Sequence, residues 1–168
     1  VGSEMCIRDR NEISHMPDVL RAAHEKGLTV ALNPSPFSAE ILSWPLECVD
    51  IFIVNEIEGG ALSGESVPEK VLDALRRRFP GAATVLTLGH DGAMYADQTE
   101  SFSVPAHRVT VVDTTAAGDT FTGYFLAMLL RGGTPKDSME IAAKAAAIAV
   151  TRPGAVPSIP RLEETLRQ

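Results

Sequence analysis

Several features that assign a functional class directly are scarce in this sequence of 168 residues. Only two cysteines are present, Cys6 and Cys48, and no pair of the four histidines has the spacing of a zinc ligand set. Positive charge is also scarce: 15 Lys and Arg against 22 Asp and Glu give a net charge of −7, which argues against nucleic-acid binding. Apolar runs such as 125–130 fall far short of the roughly 20 residues that cross a bilayer. We therefore expect one soluble, cytoplasmic domain with no nucleic-acid or membrane partner.

The first ten residues, VGSEMCIRDR, show neither helical nor strand periodicity and no signal-peptide profile. They are similar to translated adapter sequence that sometimes caps open reading frames in fragmentary assemblies. We therefore expect residues 1–10 to be a non-native or disordered leader, and residues 11–168 to hold the folded domain.

Helical and strand patterns alternate from residue 11 onward, with short turns between them. Helices are predicted over 17–26 and from 66, where Ser66 and Glu69 have capping-box spacing. Apolar strands are predicted over 28–32, 50–54 and 84–88, followed by shorter strands at 93–95, 101–104 and 108–112. Two amphipathic helices close the chain, the second capped by Thr134-Pro135. This alternation predicts an α/β fold with a mainly parallel sheet flanked by helices.

The segment that contains most of the candidate catalytic and binding residues runs from Asp113 to Phe121, with the sequence DTTAAGDTF. A predicted strand enters a turn of small residues that leads directly into a helix, so unpaired backbone N–H groups face outward at the helix N-terminus. Such a turn favours anions, because its small side chains admit a phosphate to the backbone and the helix dipole adds positive partial charge. Asp119 would place a carboxylate beside that phosphate, as phosphoryl transfer requires.

Purely structural interpretations of this segment remain open. An acidic residue in a first helical turn, here Asp119, often only complements the dipole, and Asp113 could cap the helix. The chain has no Walker A loop and no G-x-G-x-x-G turn after a first strand, which argues against P-loop and Rossmann nucleotide sites.

The segment Asp113–Phe121 closely resembles the C-terminal signature of the PfkB carbohydrate-kinase family, D-T-x-G/A-A-G-D-x-F. The resemblance continues in order through LNP at 32–34, NEIE at 55–58, TLG at 87–89 and AVTRPGA at 149–155. It implies a ribokinase-like three-layer α/β fold, ATP and Mg²⁺ as cofactors, and transfer of the γ-phosphate to a sugar hydroxymethyl group.

The resemblance also implies roles for individual residues. Asp119 matches the catalytic base that accepts the sugar hydroxyl proton, and the amides of Ala116, Ala117 and Gly118 match the anion hole. Glu12 matches a glutamate that contacts the sugar. The stretch that holds ATP is matched by Thr87, Gly89, His90, Asp91 and Gly92. An ordinary strand-to-hairpin turn is the alternative interpretation of that last stretch.

The family's N-x-x-E motif is matched by Asn55 and Glu58, where the resemblance implies contacts with the nucleotide phosphates and, indirectly, with magnesium. The same spacing is a capping box, and both interpretations are compatible. A potassium site is also implied, with Asp113, Thr115, Ala149, Arg152, Gly154 and Ser158 as matching ligands. Its alternative is a simple turn at 152–154. Ala143 departs from the His or Asn that relatives often carry near adenine.

The family's di-glycine motif, most of its sugar contacts and its β lid match nothing in this sequence, so the resemblance covers a C-terminal part of the kinase. We expect a kinase whose acceptor is most simply D-ribose. The alternatives are a family kinase for another sugar or nucleoside, and a truncated, non-catalytic nucleotide-binding fragment. Because family dimers pair through the lid, a homodimer is expected only of a full-length protein.

Overall fold

A computed structural model describes residues 5–7 and 15–167 of the chain. Six strands form one sheet in the order β1-β2-β3-β4-β5-β6, and the first four pair in parallel. The mainly parallel α/β fold predicted from the sequence is confirmed. The strands are β1 (Met5–Ile7), β2 (Val30–Leu32), β3 (Ile51–Asn55), β4 (Ala83–Thr87), β5 (Ala93–Ala96) and β6 (Ser101–Val104).

Six α-helices accompany these strands: α1 (Met16–Glu25), α2 (Glu56–Ser63), α3 (Pro68–Arg78), α4 (Ala117–Leu130), α5 (Pro135–Ala149) and α6 (Leu162–Leu166). None of the helices in residues 15–167 combines the length and the apolar character needed to cross a membrane.

The described chain divides into two compact units. The first contains the residues through Thr87 together with Met94–Ser101, and the second contains Leu88–Ala93 and the residues from Phe102 onward. The central strands β3 and β4 pair with Ile53 beside Val85 and Val54 beside Leu86, and all four side chains are buried. A continuous apolar run of this kind is typical of a parallel strand covered on both faces.

The second unit is built around α4 and α5, which pack against each other. Phe121 and Phe125 are buried on α4, and their rings stack at 6.4 Å. On α5, the small residues Ala142, Ala145 and Ala149 are fully buried. Because methyl side chains take little room, the two helix backbones approach closely.

Three sequence predictions need correction. The helix predicted to start with a Ser66–Glu69 capping box starts at Pro68, with Val67 as an N-cap that makes no side-chain hydrogen bond. Proline fits the first helical position, which displaces the start of the helix and removes Ser66 from the cap. The strand predicted over 108–112 is absent: the segment has no regular secondary structure and joins no sheet. In the other direction, residues 5–7 form a short strand where periodicity predicted none.

Candidate functional site

The turn that precedes α4 is organised by the carboxylate of Asp113. Its Oδ1 accepts the Thr115 amide at 2.9 Å, and its Oδ2 accepts the Gly154 amide at 2.8 Å. Hydrogen bonds from Thr115 and from the Gly154 amide lower the pKa of this carboxyl below its ordinary value. Asp113 therefore stays ionised at neutral pH and fixes the entrance of the turn.

The turn itself passes through Ala116, which has a left-handed backbone conformation (φ 61°, ψ 12°). Ala116 is the N-cap of α4, and its carbonyl accepts the Thr120 amide at 2.8 Å. Among the residues that the structure describes, no side chain caps the helix. The helix therefore begins without the side-chain acceptor that usually covers its first amides.

Two of the three amides predicted to form the anion hole remain available. Within the described residues, the structure assigns no hydrogen-bond partner to the amides of Ala116 and Gly118. The Ala117 amide donates to the Thr114 carbonyl at 3.2 Å, so it already serves the turn. Gly118 is exposed, and Asp119 in the same first helical turn is partly exposed. Open amides beside a carboxylate at a helix N-terminus form a suitable phosphate site.

Most of the residues predicted to hold potassium lie on two hydrogen-bonded loops of the second unit, and Ala149 is the last residue of α5. The Val150 carbonyl accepts the amides of Val112 and Asp113, at 2.8 and 3.2 Å, and Gly154 donates to Asp113 as described. The Arg152 amide donates to the Ala149 carbonyl, so the chain turns here, as the alternative interpretation of residues 152–154 predicted. Ser158 is fully buried, and its hydroxyl donates to the Ala155 carbonyl at 2.6 Å. Hydrogen bonds therefore join the loop before α4 to the loop after α5.

The stretch predicted to hold nucleotide is a tight turn. Thr87 ends β4, and its hydroxyl lies 3.4 Å from the Val54 carbonyl oxygen. In the second unit, Gly89–Asp91 form one 3-10 turn, closed by a hydrogen bond from the Leu88 amide to the Gly92 carbonyl. The side chains of His90 and Asp91 are exposed and lie 3.5 Å apart. The geometry is that of a strand-to-hairpin turn, and its polar side chains face solvent.

Gly92 is required by this turn. Its φ is 103°, and a Cβ built on it would lie 2.1 Å from the carbonyl oxygen of Val104. Any side chain would therefore collide with the backbone that crosses over the turn. The glycine that the sequence marked as a nucleotide contact has a structural role in any case.

In the first unit, Asn55 and Glu58 form a complete capping box at the start of α2. The Glu58 amide donates to Asn55 Oδ1 at 2.9 Å, and the Asn55 amide donates to Glu58 Oε2 at 3.0 Å. Glu58 is buried, with 4% of its surface exposed. The capping interpretation is confirmed, and Oε1 is not used by the cap. Across the described residues, no group of three or more His, Cys, Asp or Glu could hold a metal ion.

The sequence profile described as pfkB family carbohydrate kinase matches residues 10–162. The chain belongs to the PfkB family. Among curated proteins, it is 38% identical to ribokinase of Schizosaccharomyces pombe over 156 residues, which cover 86% of this chain and 48% of that protein. Ribokinase of Staphylococcus aureus is 39% identical, with 84% and 48% covered. Deoxyribokinase of Salmonella typhi is 33% identical, with 82% and 46% covered. The chain thus spans about half the length of the curated relatives it matches.

Solved structures of PfkB relatives support the fold. Arabidopsis thaliana ribokinase, complexed with ribose and ATP, superposes with a TM-score of 0.78 at 28% identity, covering 92% of this chain and 52% of that one. A putative ribokinase II from E. coli, in complex with ATP and Mg²⁺, gives 0.81 at 27% identity, with 94% and 54% covered. The ribokinase-like α/β fold expected from the sequence is therefore confirmed, for part of the full-length fold.

Glu12, predicted to contact the sugar, lies outside the described residues. The sequence missed the ion pair between Arg152 and Glu164, which ties the loop after α5 to α6. Glu164 lies 12 positions after Arg152, beyond an irregular loop, so no local spacing in the sequence predicts the contact.

Proposed function

We propose that the protein carrying this chain is an ATP-dependent sugar kinase that transfers the γ-phosphate of ATP to a hydroxymethyl group, with D-ribose as the first candidate acceptor. Membership of the PfkB family supports this assignment, and two ribokinases are among the relatives reported above. The observation that carries the proposal is the start of α4, where the amides of Ala116 and Gly118 remain open in the same turn as Asp119.

In this proposal Asp119 is the base. As the acceptor oxygen attacks the γ-phosphorus atom, its proton passes to the Asp119 carboxylate, and the bond from the γ-phosphorus to the bridging oxygen breaks to release ADP. The amides of Ala116 and Gly118 donate to the phosphoryl oxygens, whose negative charge the α4 dipole also stabilises. Because the Ala117 amide is already bonded, we assign it a smaller share than its neighbours.

The remaining nucleotide and metal roles are also proposals. Thr87 and the turn Gly89–Gly92 would contact the nucleotide, and Asn55 would lie near its phosphates. Glu58 suits magnesium, because that ion keeps several waters and often takes a single protein carboxylate beside phosphate oxygens. Bound magnesium would neutralise phosphate charge. The loops of Asp113 and Gly154 suit potassium by their oxygen atoms, which would position the turn before α4.

The test is a phosphoryl-transfer assay on the protein as its gene encodes it, with D-ribose, 2-deoxy-D-ribose, fructose, 2-keto-3-deoxygluconate and adenosine as acceptors. Asp119→Asn should lower kcat by a factor of at least about 100, because general-base catalysis contributes that much, and should leave ATP binding within about twofold. Glu140→Gln on the exposed surface of α5 is the matched control and should be unaffected. Turnover retained by Asp119→Asn would remove Asp119 as the base.

Potassium is tested in the same assay by replacing KCl with tetramethylammonium chloride at equal ionic strength. We expect turnover to fall, and to fall less in Asp113→Asn, whose response to potassium should already be weakened. Equal activity in both salts would refute the potassium site while leaving the kinase assignment intact.

A second function is favoured by one observation, the coverage of only about half of each relative. The chain by itself would then bind nucleotide without transferring phosphate, because acceptor positioning contributes roughly 7–11 kcal/mol in well-organised sites. Calorimetric titration of the 168-residue chain with ATP, followed by the transfer assay, distinguishes the two functions. Binding without transfer supports the second.

A further inference from the structure

The C-terminal residues of the second unit make specific polar contacts with α4. The hydroxyl of Tyr124, on the same helix as Asp119, donates to the Pro160 carbonyl at 2.7 Å. The Thr165 hydroxyl lies 3.3 Å from the Tyr124 hydroxyl oxygen, and Pro160 and Thr165 are both buried. These contacts fix α6 against α4, so α6 provides a firm point of attachment.

From this attachment, α6 reaches the irregular loop that follows α5. Both carboxylate oxygens of Glu164 accept hydrogen bonds from the Arg152 guanidinium. The planar guanidinium matches a carboxylate in two parallel hydrogen bonds, which fixes orientation as well as distance. The side chains are 36% and 38% exposed, so solvent screens part of their attraction.

Arg152 lies two residues before Gly154, the donor to Asp113. Residues 151–158 contain no α-helix or strand, only bends, turns and a short 3-10 turn, and loops of this kind open locally unless specific contacts hold them. A continuous set of contacts thus runs from α6 through Arg152 to Gly154, and from Asp113 to the turn that starts α4.

We propose that Arg152 and Glu164 are positioning residues: their ion pair holds the 151–158 loop so that the Gly154 amide keeps the Asp113 carboxylate aligned with the phosphate-binding turn. A partly exposed ion pair adds little to global stability, so its loss should change the free energy of unfolding only slightly. A small displacement near reacting groups can reduce turnover about 100-fold, so loss of a pair that positions the loop should have a large effect on turnover. The catalytic consequence rests on the proposed function, whereas the loop's dependence on the pair does not.

The first test measures loop order directly, by hydrogen–deuterium exchange of peptides covering 150–158 and 112–118. In the protein as its gene encodes it, Glu164→Ala should speed exchange in these peptides at least about tenfold and leave the α5 peptides unchanged. Glu163→Ala, at an exposed neighbouring position, is the control. The exchanged pair, Arg152→Glu with Glu164→Arg, should restore slow exchange.

The second test is kinetic. Glu164→Ala should lower kcat about tenfold, with KM for ATP changed less than twofold. The kcat of Glu164→Gln should lie between that of Glu164→Ala and that of the unmodified protein. Unchanged exchange in 150–158, or exchange that rises equally throughout the chain, overturns the inference. If the unmodified protein phosphorylates no acceptor, the proposed function fails, and the exchange measurement still decides this inference.

Discussion

The Gly154 amide donates a 2.8 Å hydrogen bond to the carboxylate of Asp113, which lies 41 residues earlier in the chain. This contact joins the turn before α4 to the loop after α5, and the Val150 carbonyl strengthens the connection by accepting the amides of Val112 and Asp113. The two segments that the sequence assigned together to a potassium site are therefore one hydrogen-bonded structure, and the first of them also forms the turn predicted to bind phosphate. A change in either loop should affect the other.

Gly92 should be far less tolerant of substitution than Gly89, although both have positive φ. Gly92→Ala places a Cβ 2.1 Å from the Val104 carbonyl oxygen, whereas nothing lies within 4 Å of a Cβ at Gly89. We expect Gly92→Ala to lower the free energy of unfolding by about 3 kcal/mol or more and Gly89→Ala by about 1 kcal/mol. Urea unfolding followed by circular dichroism measures both, and similar losses would contradict the geometry.

Glu58 allows the capping and magnesium roles to be separated. Glu58→Gln keeps an oxygen that accepts the Asn55 amide, so the free energy of unfolding should change by less than about 0.5 kcal/mol. It removes the charge, so the affinity for ATP with Mg²⁺ should fall while the affinity for ATP without metal stays the same or rises.

Asn55→Ala is the complementary variant for this site. It removes the side-chain acceptor for the Glu58 amide and should cost about 1 kcal/mol of stability. Calorimetric titrations with and without Mg²⁺ give the affinities. Equal magnesium dependence in Glu58→Gln and the unmodified protein would leave Glu58 with a capping role alone.

Asp97 should make stability depend on acid pH. Burial raises the pKa of this carboxyl, but hydrogen bonds from Glu100, Thr99 and Tyr95 outweigh burial and lower the pKa to about 2, from 3.8. Because the folded value is the lower one, the stabilisation is complete above the unfolded pKa and is lost as pH falls from about 4 to about 2. After allowance for partial exposure, we expect it to reach about 1–2 kcal/mol.

Asp97→Asn tests this directly by urea unfolding between pH 7 and pH 2. The variant should be less stable at pH 7 and should lose less stability on acidification, so the two curves converge near pH 2. Parallel curves would show that other carboxyl groups cause the acid sensitivity.

Local patterns in the sequence predicted what local physics decides. The Thr134 cap of α5 and the Asn55–Glu58 box each depend on residues within one turn, and both are confirmed. The prediction of a strand over 108–112 was wrong, because residues of high β-propensity form a strand only where a neighbouring strand is available for pairing. Val111 and Val112 are instead 58% and 61% exposed.

The candidate site shows the same division between local and distant contacts. The Asp113–Asp119 turn was predicted, because the small residues and the acid are consecutive. The hydrogen bond from Gly154 to Asp113 and the pairing of Arg152 with Glu164 were missed, since the tertiary fold alone brings these residues together. The hydrogen bond from the Ala117 amide to the Thr114 carbonyl was also missed, because it depends on the path of the backbone, which the sequence does not specify.

Ala116 is the one non-glycine residue with positive φ in the described part of the chain. A glycine there would move between many backbone conformations at little cost, whereas alanine is confined to a narrow left-handed region that costs roughly 1–2 kcal/mol. The contacts around Asp113 hold the residue in that region. The amides of Ala116 and Gly118 are consequently held in place, so a phosphate bound there as proposed would lose less binding energy to ordering the turn.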